Sequence, residues 1–369
     1  MKFLVVTNAP IIYKDDKAFA YSPYVKELVV WSNYVNLTFC CPVWKTDNGL
    51  LISEIPFSIN EHYKLFDNNL KSLKEIAKTF FLTFANICIL FKAMYHADHI
   101  HLRCPGNVGL LGCVVQIFFP NKKKTAKYAG NWDPESKQPL SYRLQKWILN
   151  NTFLTRNMQV LVYGDWKNKS KNIKPFFTAT YSEKEKEVFA ENKSNEIIEF
   201  IFVGSLVVGK NPLYAIKLVQ KLIESGKKAH LNLYGNGMQK DNLDLYIKEN
   251  KLGDFIVLHG NQDRETIKKA YQKSHFVILP SKSEGWPKAI AEGMFWGCVP
   301  IATKVSCVPF MLDFGNRGVL LEMDLEKDFT QLLEVLDKQD FFSVKSKLAQ
   351  DWSQLYTTDF FEKEIKNLL

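Results

Sequence analysis

The stretch F-V-I-L-P-S-K-S-E-G-W-P-K-A-I-A-E-G-M-F-W-G-C-V-P-I-A-T, residues 276 to 303, decides the fold. Four consecutive apolar residues, 276–279, halt at Pro280, as a strand buried on both faces does. A loop with glycine follows, Pro287 suits the first turn of a helix over 287–296, and 299–303 is again a short apolar run. Strand, helix and strand at this spacing make a right-handed βαβ crossover in a parallel sheet.

The same alternation extends outward. Strands are expected at 199–203, 230–234 and 255–258, with helices at 212–224, 241–250 and 264–273. In the first half the apolar or β-branched runs 3–7, 36–41, 99–102, 125–129 and 160–163 read as strands. Helices are expected over 23–31 and from the loop R-C-P-G-N at 103–107 to Phe118. The segment 8–21, N-A-P-I-I-Y-K-D-D-K-A-F-A-Y, reads as a loop. A chain of 369 residues exceeds the roughly 250 that one core serves. The expected fold class is therefore α/β, with two doubly wound parallel-sheet (Rossmann-like) domains facing across a cleft. The first spans residues 1–178 and the second 179–345, and a helical segment, 346–369, packs back on the first. The Lys- and Glu-rich residues 182–195 place the linker near 178–195.

An apolar share of 46% and 27 phenylalanines exclude a disordered chain. The net charge of +9 favours anionic partners, but lysines and glutamates are interleaved, and no basic arm of the kind that binds nucleic acid is present. Seven cysteines, an odd number without a C-x-x-C pair, read as reduced thiols in a cytoplasmic protein and not as a metal site. Met1-Lys2 leads straight into F-L-V-V, too short for an export signal. Residues 79–91, T-F-F-L-T-F-A-N-I-C-I-L-F, are nearly all apolar. At 1.5 Å per residue they cover about 20 Å, short of the ~30 Å hydrocarbon core. They read as a buried helix of the first domain, the alternative being a helix lying in a membrane interface.

Glu284 and Glu292 are eight residues apart, within about 80° of one another on a helix, the first at its mouth, where Glu284-Gly285-Trp286 forms the approach loop, and the second two turns in. A helix N-terminus at the carboxyl end of a parallel strand favours phosphate, and carboxylates placed there suit vicinal hydroxyls. A surface acid pair would read the same way were it alone. It is accompanied by V-G-S-L-V-V-G-K-N-P at 203–212, L-Y-G-N-G at 233–237 and H-G-N at 259–261, each ending a strand of the same domain. Gly204 and Gly209 are expected to allow close backbone approach, Gly235 and Gly237 to permit tight turns beside a nucleotide with Gly260 at a third strand end, and Lys210 offers a point charge for phosphate.

With these loops in this order, residues 199–324 resemble the donor domain of family-4 retaining glycosyltransferases of GT-B fold (glycosyl transferases group 1). The match comprises F-V-G…K-N-P, L-Y-G-N-G, L-P-S…E-G, the E-x7-E pair and G-C-V-P-I-A-T. The resemblance implies a retaining, metal-independent, hexosyltransferase-type enzyme. It would move sugar from a UDP-, GDP- or ADP-linked donor to a hydroxyl of a glycan or lipid-linked glycan in surface polysaccharide synthesis. No cofactor beyond that co-substrate is implied. Lys210 would contact the diphosphate, Glu284 the transferred sugar and Glu292 the ribose. Amides of Gly285, Trp286, Pro287 and Lys288 would frame the phosphates, Pro287 contributing no N–H. Ser205 stands where many relatives carry arginine, and Lys288 or Arg103 would replace that cation.

On the acceptor side, His101, Arg103, Asn131, Trp132 and Asp133 fall at expected strand ends. Asp133 would serve as base toward the acceptor hydroxyl, or be a turn former before Pro134. Trp132 would stack on a sugar or pack, and His101 be a ligand group or a core histidine. The expected location is cytoplasmic, peripheral at the inner membrane face. Two other readings stay open: a nucleotide-sugar epimerase of GT-B fold, and a non-catalytic nucleotide-sugar-binding protein.

Overall fold

Runs of Val, Ile, Leu and Phe bounded by Gly, Pro and Asn become the central strands. The structure is a computed structural model that describes residues 1–67, 73–167, 169–187, 196–338 and 340–369. The chain divides into two units, Met1–Phe176 with Glu362–Leu369, and Phe177–Phe361.

The strands of the first unit are β1 (Lys2–Val6), β2 (Ile11–Lys14), β3 (Lys17–Tyr21), β4 (Asn36–Trp44), β5 (Ile52–Glu54), β6 (Glu61–Leu65), β7 (His99–Cys104), β8 (Lys123–Tyr128), β9 (Met158–Tyr163) and β10 (Ile173–Phe176). Its helices are α1 (Ser22–Ser32), α2 (Leu73–His96), α3 (Asn107–Val115) and α4 (Leu140–Leu149). The sheet order is β10-β9-β8-β7-β1-β4-β2-β3-β5, with β6 also beside β4. The pairs β10/β9, β9/β8, β8/β7, β7/β1, β1/β4 and β4/β6 are parallel.

The segment read as a loop over 8–21 is instead the antiparallel hairpin β2–β3, which extends the sheet edge. Asp15 and Asp16 both take positive φ, 51° and 59°, the conformation of a tight hairpin turn more often marked by Asn-Gly. Residues 79–91 lie inside α2, but from Phe81 onward only one side of the helix is buried, so the fully buried reading is corrected. The side chains of Thr79 and Phe80 lie outside the described residues.

The second unit is regular. Its strands β11 (Ile198–Val203), β12 (Ala229–Tyr234), β13 (Ile256–Gly260), β14 (Phe276–Leu279), β15 (Val299–Thr303) and β16 (Val319–Leu321) are ordered β13-β12-β11-β14-β15-β16, all parallel. The connecting helices are α5 (Pro212–Glu224), α6 (Lys240–Glu249), α7 (Arg264–Lys273), α8 (Lys288–Phe295) and α9 (Val308–Met311), followed by α10 (Leu325–Leu336), α11 (Phe341–Ser353) and α12 (Thr358–Leu368). In α5, Ala215, Ile216, Leu218, Val219 and Leu222 are wholly buried at helical spacing. The larger of these side chains contribute about 1.5–3 kcal/mol each.

The segment expected to pack on the first domain over 346–369 is divided. α11 belongs to the second unit, where Ser353 donates to the Ala291 carbonyl at 2.6 Å and Trp352 stacks on Trp286. Only Glu362–Leu369 go with the first unit, anchored by buried Ile365 and Leu368 and by the Lys174–Glu364 pair at 2.6 Å. Of the expected linker 178–195, residues 188–195 lie outside the described residues.

Candidate active site

The site is built on the loops at the carboxyl ends of β11, β12, β13 and β14. The Gly204 N–H bonds the Tyr234 carbonyl at 2.9 Å, and the Gly235 N–H bonds the Gly260 carbonyl at 2.8 Å. Gly235 has φ +143°, and a Cβ there would lie 1.9 Å from the Gly204 carbonyl oxygen. At Gly237 a Cβ would lie 2.5 Å from the Leu206 oxygen. These glycines let two strand-end loops touch backbone to backbone, which any side chain would prevent. Beside them Val203, Gly204, Ser205, Tyr234, Gly235 and Asn261 border a cavity of about 180 Å³. Tyr234 stacks on His259 with ring centroids 4.5 Å apart. Ser205 is exposed.

The loop after β11 is tied to the loop after β14. Lys282 N–H donates to the Gly209 carbonyl at 2.8 Å, and Lys210 Nζ lies 2.5 Å from Glu284 Oε1. The Glu284 carboxylate is only 7% exposed, whereas the Lys210 side chain is 31% exposed. A buried anion is thus held by a cation that can still reach solvent or a ligand. In the same loop Ser281 is buried, and its hydroxyl has no hydrogen-bond partner. Sequence reasoning quoted this residue inside L-P-S but gave it no role.

α8 begins at Lys288, with Pro287 at the N-cap (φ −73°, ψ 90°) and not inside the first turn. Glu284 stands in the approach loop, as expected, but outside the helix, so helical spacing does not relate it to Glu292. The N–H groups of Lys288 and Ala289 open the helix, as phosphate recognition at a helix N-terminus requires. Gly285 presents its carbonyl to the Ser306 hydroxyl and the Cys307 thiol, at 3.3 and 3.0 Å. Trp286 is buried against Trp352 and Tyr356, so it packs the loop down onto the C-terminal helices. Lys288 is exposed.

Glu292 has its own surroundings. Its Oε1 accepts from the Thr180 hydroxyl at 2.8 Å and its Oε2 from the Tyr271 hydroxyl at 3.5 Å. Burial, and then the charge of Glu292, push the Tyr271 and Tyr181 hydroxyls up, so both stay protonated. The carboxylate is half-buried, and hydroxyl donors already surround it. Thr180 and Tyr181 escaped sequence reasoning because they precede the first strand of this unit.

The residues expected on the acceptor side are differently placed. His101 is mid-strand in β7 and wholly buried, stacked on Phe3 and bonded through Nδ1 to Thr125 Oγ1 at 2.8 Å. Burial first, and then the Arg103 charge, hold its pKa well below the usual histidine value. Arg103 is 4% exposed and clamps Glu27 through both terminal nitrogens, at 2.9 and 3.2 Å, with Lys127 on the same carboxylate at 2.8 Å. It is committed inside the first unit and supplies no replacement for the cation missing at Ser205. Asn131 Oδ1 accepts from the Asp133 N–H, and Asp133 Oδ1 from the Glu135 N–H, both at 2.9 Å, so these side chains shape the turn. Trp132 is buried edge-on against Tyr128 at 5.0 Å.

Residues 183–354 match the family model described as glycosyl transferases group 1. Over 160 residues the chain is 25% identical to an uncharacterized glycosyltransferase of Methanocaldococcus jannaschii, covering 42% of this chain and 43% of that protein. It is 23% identical over 186 residues to the poly(glycerol-phosphate) alpha-glucosyltransferase of Bacillus subtilis, covering 48% of this chain and 27% of that one. The matches thus span under half the length of either curated relative. In structure, Anabaena HepE, solved with UDP and glucose, aligns at TM-score 0.66 and 12% identity over 100% of this chain and 98% of that one. That likeness is one of fold, the α/β architecture of GT-B glycosyltransferases. The glycine loops, Lys210, Glu284 and Glu292 all lie inside the residues, 183–354, that match the group 1 glycosyltransferase model.

Proposed function

We propose that the protein is a retaining glycosyltransferase that moves a sugar from a nucleotide-sugar donor to a hydroxyl of a glycan or lipid-linked glycan. The observation that carries this is the Lys210–Glu284 pair, set between glycine-bearing strand ends and the N-terminus of α8. Donor diphosphate draws Lys210 onto its oxygens, and the released Glu284 carboxylate then accepts from hydroxyls of the transferred sugar. Glu292 exchanges the Thr180 hydroxyl for ribose hydroxyls. Lysine and helix N–H groups stabilise the departing diphosphate without a divalent ion. The leaving phosphate helps to deprotonate the acceptor, so no protein base is required and Asp133 is left to its turn. The first unit supplies the acceptor side.

A thermal-shift panel of UDP-, GDP- and ADP-sugars tests the donor site. A ligand at 100 times its dissociation constant stabilises by about 2.7 kcal/mol. Absence of a shift with every donor would sink the reading. With a donor identified, the anomeric configuration of the product by NMR tests retention, and unchanged turnover in EDTA tests metal independence.

A further inference from the structure

One face of the first unit is untouched by the donor chemistry. Along α2, Phe81, Phe84, Cys88, Phe91 and Tyr95 recur at alternating intervals of three and four, which aligns them on one side of the helix. Phe81 is 72% exposed, Phe84 63% and Tyr95 64%, whereas Asn86, Leu90, Ala93 and Met94 are buried. The row continues past the helix: the Phe91 ring lies 6.2 Å from Phe118, which is itself 68% exposed. Lys122 Nζ sits 5.9 Å above the Tyr95 ring and donates to the Tyr95 carbonyl at 2.6 Å.

A groove of about 460 Å³ opens next to Lys122, with Lys124, Arg156, Asn157 and Lys171 in its lining. Lys123 also lines it and donates to the Leu369 carbonyl. Lys124 is buried and donates to the Gln116 and Phe119 carbonyls, at 3.3 and 3.0 Å, so Arg156 and Lys171, with Lys123, are the exposed cations of the groove. Arg156 lies 4.7 Å over the ring of Phe153, which is 70% exposed. The aromatic row thus ends at Lys122, whose sequence neighbours Asn121 and Lys123 line the groove that holds Arg156 and Lys171. Among the described residues, no carboxylate side chain lines the groove.

We propose that this face docks on a bilayer bearing anionic phospholipid. Phe81, Phe84, Phe91 and Phe118 lie at the boundary of headgroup and acyl chain, and the Arg156–Lys171 groove receives lipid phosphate. Aromatic rings at the interface and cations against anionic headgroups are each favourable there. A second copy of the chain meets the face less well, because a two-fold contact would bring the same cations together. No helix among the described residues is long and apolar enough to cross a membrane, so contact is with the surface. The docking does not depend on the donor-site reading. Joined to it, docking would bring the enzyme to an acceptor carried on lipid.

The test is sedimentation of the full chain with phosphatidylcholine vesicles, with and without about one third phosphatidylglycerol, at ~0.1 M salt and without donor. The wild type is expected to pellet with the anionic vesicles and to stay in solution with the neutral ones. Arg156→Gln with Lys171→Gln should weaken partition about 25-fold, at about fivefold per cation. Phe81→Ser with Phe84→Ser should weaken it at least about tenfold. Each variant must keep the wild-type melting temperature. The single substitutions Phe84→Ser and Arg156→Gln serve if a double variant does not.

Three outcomes overturn the proposal: a wild type that ignores anionic vesicles, variants that partition like the wild type, or a concentration-dependent dimer abolished by the phenylalanine changes. A donor thermal shift without vesicle binding defeats the docking alone. Vesicle binding without any donor shift defeats the donor site alone.

Discussion

Lys210 Nζ and Glu284 Oε1 meet at 2.5 Å, so the loops after β11 and β14 are closed on each other by one charge pair. Removing the cation leaves a mostly buried carboxylate unpaired. Lys210→Ala is expected to destabilise the second unit by about 1–3 kcal/mol, the exposed side of the pair tempering the loss. It should also lower turnover by at least about 100-fold, as loss of a cation from a charged transition state does. Glu284→Gln, which keeps the shape, should spare stability more than turnover. Melting temperature and turnover, measured on both variants, check the pairing.

The glycines divide into two groups. Gly235→Ala places a methyl 1.9 Å from the Gly204 oxygen at φ +143°, and should cost more than about 3 kcal/mol and abolish the donor-induced thermal shift. Gly209→Ala meets nothing within 4 Å and should stay within about 0.5 kcal/mol of wild type. Calorimetry on the two variants, side by side, gives the answer; equal losses would contradict the packing.

In the first unit, burial alone would raise the Glu27 carboxyl, but the adjacent Arg103 and Lys127 outweigh burial and hold it well below the usual carboxylate range. A depressed native value means that the unfolded chain binds more protons in the window between the two pKa values. The stabilisation is complete above about pH 4.5 and fades as pH falls from there toward the native value. Glu27→Gln should cost about 3–5 kcal/mol at pH 7, because two interior cations lose their anion. The difference from wild type should narrow progressively below about pH 4.5. Denaturant titrations at pH 7, 4 and 3 measure it, and a constant difference would refute the assignment.

Asp133 offers a clean separation of roles. Its Oδ1 accepts from the Glu135 N–H, a bond that asparagine reproduces. Asp133→Asn is expected to leave kcat within about twofold, whereas an acceptor base would lose about 100-fold or more. Initial rates with saturating donor decide between them.

The second unit was the more legible half, because its strands and helices are short, regular and separated by glycine or proline. The helices at 212–224 and 264–273 and the strands at 276–279 and 299–303 fall where the pattern put them. The first unit hid more. Its β2–β3 hairpin turns on two aspartates in positive φ, a choice that carries no Asn-Gly signature. His101 and Arg103 read as polar residues at a strand end, yet they serve the interior. A partner such as Glu27, 76 residues from Arg103 in sequence, cannot be inferred from spacing. The angular relation of Glu284 to Glu292 failed for a local reason: a proline at the N-cap starts the helix four residues after the first glutamate.

The cysteines fall into two classes with a practical consequence. Six are buried, and among these burial pushes the thiols of Cys40, Cys41 and Cys307 up. Cys113 is pushed up by its contact with Cys104 and by burial. Cys88 alone is exposed, in the middle of the aromatic row on α2. A maleimide dye offered to the native protein will therefore attach at that position without any engineering. Its emission colour then reports whether this side of the molecule sits in water or in something less polar.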